Sequence, residues 1–346
     1  MRATPLLHVL GAALVVVSAV PASAQVAPPG YTVVRRIAVP GDFGWDYVTW
    51  DANARRLFVS HGMKVDVVDP ASGAAAAEIT PTPGVHGIAL APNAGRGYIT
   101  DGRTDSITVF DLKTLAVVGT VKSTGEGPDA ILFEPVTNRI FAFNGEGMNA
   151  TVLDAATGAV VGTVALGGAP EFGVADGKGF VFVNLEDKAE VALVDAKTLS
   201  VVRHTSLGEA CTEPTGLAID RQHRRLFSVC HSKVMVVTNA DDGSVVKTLP
   251  IGARVDGAAF DSTAGLAFAS NGEGTVTVVR AGPGDKFEVA ETVTTTPGAR
   301  TMTLDPATGT LYLPAARLGP PPAGGGRPSI VPGTFELLVL TPAHAH

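Results

Sequence analysis

The feature that most constrains this chain is a repeat. The stretch "WDYVTWDANARRLFVSH" (45–61) returns as "VHGIALAPNAGRGYITD", "PDAILFEPVTNRIFAFN", "PEFGVADGKGFVFVN", "PTGLAIDRQHRRLFSVC", "VDGAAFDSTAGLAFASN" and "ARTMTLDPATGTLYLPA", seven copies in all. The residues that close the first apolar segment of each copy are Asp51, Ala91, Glu134, Asp176, Asp220, Asp261 and Asp305, spaced by 40, 43, 42, 44, 41 and 44 positions. Each copy then holds a polar turn, a second strand such as "RLFVS" or "RIFAF", a third such as "VDVVD" or "ATVLD", another polar turn, and a fourth such as "VVGTV". Four short strands per period of about 42 residues describe one propeller blade. Helical solenoids are excluded by the lack of a 3.6-residue apolar period and by the frequency of Val, Thr, Phe, Gly and Pro.

The fold class expected is therefore all-β, a seven-bladed β-propeller with four antiparallel strands per blade. The seventh copy ends after its third strand, "TFELLVL", with only "TPAHAH" beyond it. The strand "YTVVRRIAV", Tyr31 to Val39, precedes the first copy and resembles the missing fourth strand. It is expected to complete blade seven and so close the ring. Residues 25–346 then form a single propeller domain, with a Pro/Gly-rich loop, 318–333, inserted between the second and third strands of blade seven.

Residues 1–24 have the pattern of a secretory signal peptide: Arg2 at the start, an apolar run from Leu6 to Val20, and Ala22-Ser23-Ala24 before the expected cut. The apolar run is too short for a span of ~20 residues, so no membrane segment remains after cleavage. Export places Cys211 and Cys230, the only cysteines, where disulfides persist, and they are expected to pair. The formal net charge of −7 becomes −8 once Arg2 is lost, and the basic residues are dispersed. Nucleic acid is accordingly not an expected partner. A periplasmic or secreted monomer is the expectation.

"GRGYITD" (95–101) and "NRIFAFN" (138–144), with the "VxVxD" third strands, resemble the YVTN-repeat, YncE-like family of seven-bladed propellers across nearly the whole mature chain. The resemblance implies the fold. Related propellers act as ligand binders, single-stranded DNA binders, lactonases, lyases or electron-transfer partners, so it leaves the function open.

One position varies while the frame around it repeats: Asp46, His86, Asp129, Glu171, Thr215, Asp256 and Arg300, each five residues before the strand-closing anchor. Innermost strands line a propeller's channel, so these residues are expected to form a ring at one mouth, the top. The ends of the second strands are expected to add an outer circle there: His61, Asp101, Asn144, Asn184, His231 and Asn271, with Glu213 nearby. Imidazoles and carboxylates converging on one opening suit a divalent metal ion, with His61, His86 and His231 as candidate ligands, or a cationic or polyhydroxylated ligand. Arg300 would pair with its neighbours or hold a carboxylate. The competing reading is structural, since polar side chains at a wet channel mouth also serve to hydrogen-bond water and loops.

No HxH, HExxH or GxSxG pattern occurs, and the Gly-rich pieces lack a phosphate-binding setting. His204 and His223 read as edge or turn residues and His344 and His346 as tail. The favoured reading is a binding module for a small ligand, metal ion or envelope protein at the top face. The alternative is a metal-assisted lactonase, lyase or hydrolase using the same face, and a third class is a scaffold recognised through its rim. The insertion leaves from the top and is placed to act as a flap.

Overall fold

The computed structural model describes residue 1, residues 27–320, Pro322 and residues 328–343. The expected leader, the tip of the 318–333 insertion, His344 and His346 lie outside these residues. Seven four-stranded antiparallel sheets make up the described chain. Blade 1 runs outward through Trp45–Asp51, Arg56–His61, Lys64–Asp69 and Ala74–Ile79. Blades 2 to 6 repeat that order from innermost strands Val85–Ala91, Pro128–Glu134, Pro170–Ala175, Pro214–Asp220 and Val255–Asp261. Blade 7 is built from Thr303–Asp305, Thr310–Ala315, Glu336–Thr341 and Thr32–Ala38, the N-terminal strand being outermost. The innermost strand of blade 1 packs against blade 7, so the sheets close into a seven-bladed propeller.

The repeated polar residues make the turns. Asp51 Oδ1 accepts the backbone N–H groups of Asn53 (3.1 Å) and Ala54 (3.2 Å), and Asp261 Oδ1 accepts those of Thr263 (2.8 Å) and Ala264 (3.0 Å). An acid at the strand end thus satisfies the donors of the reversal that follows. The apolar frame makes the core: Phe58, Phe141, Phe227 and Phe268 of the second strands are fully buried between blades. Each such burial contributes roughly 1.5–3 kcal/mol.

The closing strand is tied on two sides. Thr32↔Thr341 to Ala38↔Glu336 form its ladder with the third strand of blade 7. Its leading residues reach blade 6, where the Glu291 carboxylate accepts the Gly30 and Tyr31 N–H groups at 3.1 and 2.9 Å. The Tyr31 hydroxyl donates to the Gly309 carbonyl at 2.9 Å.

Candidate functional site

In blades 1 to 6 the pairing of the first two strands slips beside the varying residue, as between Trp45/Val48, Val85/Ile88 and Pro128/Ile131. A bulge of this kind bends the strand and re-aims a side chain. Here it turns the ring residue out of the ladder toward the channel. The preceding blade then fixes the ring residue's carbonyl. Ser60 donates to the His86 carbonyl, Thr100 to that of Asp129, Asn184 Nδ2 to that of Thr215 (2.7 Å), Ser270 to that of Arg300, and Thr301 to that of Asp46 (2.6 Å). These blade-to-blade bonds make the ring a rigid platform.

Five of the ring side chains, Asp46, His86, Asp129, Asp256 and Arg300, form one network. His86 Nδ1 lies 2.6 Å from Asp46 Oδ2 and 3.7 Å from Asp129 Oδ1. Arg300 donates to Asp256 Oδ2 at 2.6 Å and to Asp46 Oδ1 at 3.1 Å. Burial alone would lower the His86 pKa, but Asp46 and Asp129 outweigh it and raise it to about 9. Burial, then the Asp46 charge, pushes Asp129 up to about 7 against the pull of His86. Glu171 rises well above the usual carboxylate range through desolvation and the charges of Asp129 and Asp256. Among the described residues the Glu171 carboxyl has no hydrogen-bond or ion-pair partner.

The outer circle is not where the second strands end. His61, Asp101, Asn144, Asn184 and Asn271 are fully buried, because in the ladder their side chains turn into the space between blades. His61 is therefore not a mouth histidine. Its Nδ1 meets Asp66 Oδ2 at 2.8 Å, its ring lies against Phe335 (centroids 4.2 Å apart), and a Cβ on Gly41 would approach its Cε1 to 2.5 Å. Asp101 accepts from Thr108 at 2.6 Å, and desolvation raises its pKa to about 7. Asn144 bonds Thr151 at 2.9 Å and Asn271 bonds Thr277 at 3.0 Å. These residues tie neighbouring strands or blades together.

The circle that does face the mouth comes one residue later, at Gly62, Gly102, Gly145, Glu186, His231, Gly272 and Ala316. It pairs with a second set, two residues before the ring: Gly44, Gly84, Gly127, Ala169, Glu213, Arg254 and Gly298. One backbone bond links the two sets repeatedly: Gly102 N to Gly84 O (2.9 Å), Gly145 N to Gly127 O (2.9 Å), Glu186 N to Ala169 O (2.8 Å), His231 N to Glu213 O (3.1 Å) and Gly272 N to Arg254 O (2.8 Å). Only blades 4 to 6 carry long side chains at these positions. Of them, the sequence reading singled out His231 and Glu213 but missed Glu186 and Arg254.

The top face opens as a funnel of about 840 Å³ over blades 1 to 4, lined by Phe43, Met63, Arg103, Glu146 and the glycines that blades 1 to 3 contribute to both sets. Below it a cavity of about 400 Å³ is lined by the seven ring residues with Tyr47, Glu186, His231 and Arg254. Tyr47 of blade 1 and Phe172 of blade 4, ring centroids 5.6 Å apart, meet across the channel and floor this cup. Two groups at this mouth place three ligand atoms within 4.8 Å of one another: Asp46, His86 and Asp129, and Glu186, Glu213 and His231. Cys211 and Cys230 are joined, their Cα atoms 5.5 Å apart. The base of the insertion is pinned by Gly319 N to Ser329 O (2.7 Å) and Val331 N to Arg317 O (2.8 Å), with Leu318 and Ile330 packed in the cluster that holds Trp45.

No family model matches the chain, and no curated protein matches it. Solved propellers do. One is from Kuenenia stuttgartiensis hydrazine synthase, with a TM-score of 0.68 and 17% identity, covering 80% of this chain and 94% of that one. Another is U3-55K, with a TM-score of 0.74 and 10% identity, covering 89% of this chain and 99% of that one. At such identities the likeness concerns the fold alone. No helix among the described residues is long and apolar enough to cross a membrane.

Proposed function

We propose that this chain is an exported binding module whose top mouth coordinates a divalent cation, or a small ligand that carries one, through Asp46, His86 and Asp129. The observation that carries this reading is the convergence of those three donors within 4.8 Å on a ring whose carbonyls are fixed by neighbouring blades. The cavity's charge points the same way: five carboxyl groups line it (Asp46, Asp129, Glu171, Glu186, Asp256) against Arg254, Arg300 and His86, and carboxylate repulsion adds to burial in pushing the Asp129 and Glu171 pKa values up. A cation entering there relieves carboxylate repulsion, whereas an anion adds to it. The disulfide and the leader-like N-terminus support export. Calorimetric titration with Zn²⁺, Mn²⁺ and Ca²⁺ tests the reading. His86→Ala combined with Asp129→Asn should abolish the tightest binding in a protein that still melts cooperatively, and unchanged binding would remove the ring from the site.

The unpartnered Glu171 carboxyl favours a second reading, a metal-assisted lactonase, lyase or hydrolase on the same face. Desolvation and the charges of Asp129 and Asp256 push the Glu171 pKa up, the direction that suits a general acid beside the ion. Turnover of a lactone or ester panel that stops on chelation, and that falls in Glu171→Gln while ion binding persists, would select the enzyme.

A further inference from the structure

We propose a second cation subsite on the blade 4–5 wall of the mouth, formed by Glu186, Glu213 and His231 and held in place by the Cys211–Cys230 disulfide. It rests on the top-face reading of the preceding section but uses none of the same ligands. The donor atoms of the three residues lie within 4.8 Å of one another, and His231 Nδ1 and Glu213 Oε2 are 3.0 Å apart. Ions such as Zn²⁺ take carboxylate and imidazole donors at about 2.0–2.2 Å, so closing the shell asks only small side-chain movements. Glu186 and His231 line the same cavity as the ring, and the Glu171 carboxyl, with no protein partner, is near enough to Glu186 for their charges to interact. Glu186 and His231 on the cavity wall, with Glu213 beside them, thus offer a cation two carboxylates and an imidazole.

The positions themselves are informative. In blades 1 to 3 the residues equivalent to Glu186, His231 and Glu213 are all glycines. Glu213 adopts φ 49°, a left-handed conformation that Gly84 and Gly127 take at the same place at φ 66° and 65°. A glutamate accepts that backbone at a cost of about 1–2 kcal/mol where glycine would not. The disulfide joins the two pieces of chain that present the site: Cys211 lies two residues before Glu213, and Cys230 directly precedes His231. Thr212 N also bonds Ser232 Oγ at 3.0 Å across the same gap.

Co²⁺ titration of the full-length oxidised protein, read by calorimetry and visible absorption, tests the proposal on three proteins. Wild type should bind two ions. Glu213→Gln with His231→Ala should lose one and keep the other, and His86→Ala with Asp129→Asn should show the reverse. Reducing the disulfide in folded wild type should weaken the wall ion by at least ~10-fold and leave the ring ion unchanged. Two ions retained in Glu213→Gln/His231→Ala, or a single ion in wild type that His86→Ala/Asp129→Asn abolishes and Glu213→Gln/His231→Ala keeps, would overturn the wall subsite while leaving the ring reading standing. Binding that survives only on the wall would overturn the ring reading instead. An unaltered wall affinity after reduction would remove the disulfide from the proposal.

Discussion

Blades 1 to 3 and blades 4 to 6 present the mouth with the same backbone and opposite contents. On the first side the two circles around the ring are Gly44, Gly62, Gly84, Gly102, Gly127 and Gly145; on the second, Glu186, Glu213, His231 and Arg254 rise from equivalent places. The bond from Gly102 N to Gly84 O (2.9 Å) has its counterpart from His231 N to Glu213 O (3.1 Å), so the difference lies in the side chains alone. A repeat scaffold acquires a directional site here partly by leaving side chains out. The glycines keep space around His86: a Cβ on Gly102 would stand 2.9 Å from its Cδ2 and Nε2.

The comparison holds only while the ring is closed, and the largest effect should come from opening it. Deleting residues 31–39 removes the sole outer strand of blade 7 and should produce aggregation or a collapse in melting temperature; an unchanged melt would refute the closure. Next comes His61→Ala, which should cost about 2–4 kcal/mol by leaving a void beside Phe335, with Asp66 still paired to Lys64 at 2.7 Å. Its cation affinity should equal wild type, and a loss of affinity in chemical-denaturation-matched samples would return His61 to the site. Gly102→Ala should do the opposite, weakening ring binding about tenfold (~1.4 kcal/mol) with little change in the melt. The same substitution at Gly44, where a Cβ meets nothing within 4 Å, is the control.

The smallest effect is a pH dependence. Folding raises the Asp101 pKa from 3.8 to about 7, so the folded state favours the protonated acid, and the stability this provides is lost as pH rises from about 4 to about 7. Asp101→Asn should therefore melt several degrees above wild type at pH 8 and alongside it near pH 4. Parallel pH profiles for the two proteins would contradict the assignment.

The ring was legible because its signal is a contrast: Asp46, His86, Asp129, Glu171, Asp256 and Arg300 differ where the frames around them agree. The closing strand was legible by counting strands. The outer circle was misread by one position, because alternation along a strand does not reveal that the bulge turns the ring residue while the opposite strand end stays in the ladder facing the next blade. His61 and Asp101 thus looked exposed and are core. Glu186 carried a signal nonetheless: Gly62, Gly102, Gly145 and Gly272 occupy its place in four other copies, and a long acid among glycines is itself a departure. The blade-to-blade bonds from Ser60, Thr100 and Ser270 had none, since a serine or threonine in a strand reads as ordinary composition.

The central claim, that the top mouth is a cation site centred on the ring, is met most directly by anomalous diffraction from crystals grown with Co²⁺ and measured on both sides of the cobalt edge. The account predicts an anomalous peak bounded by Asp46, His86 and Asp129. A peak confined to the lower face or the blade rims, with none at the mouth, would contradict it.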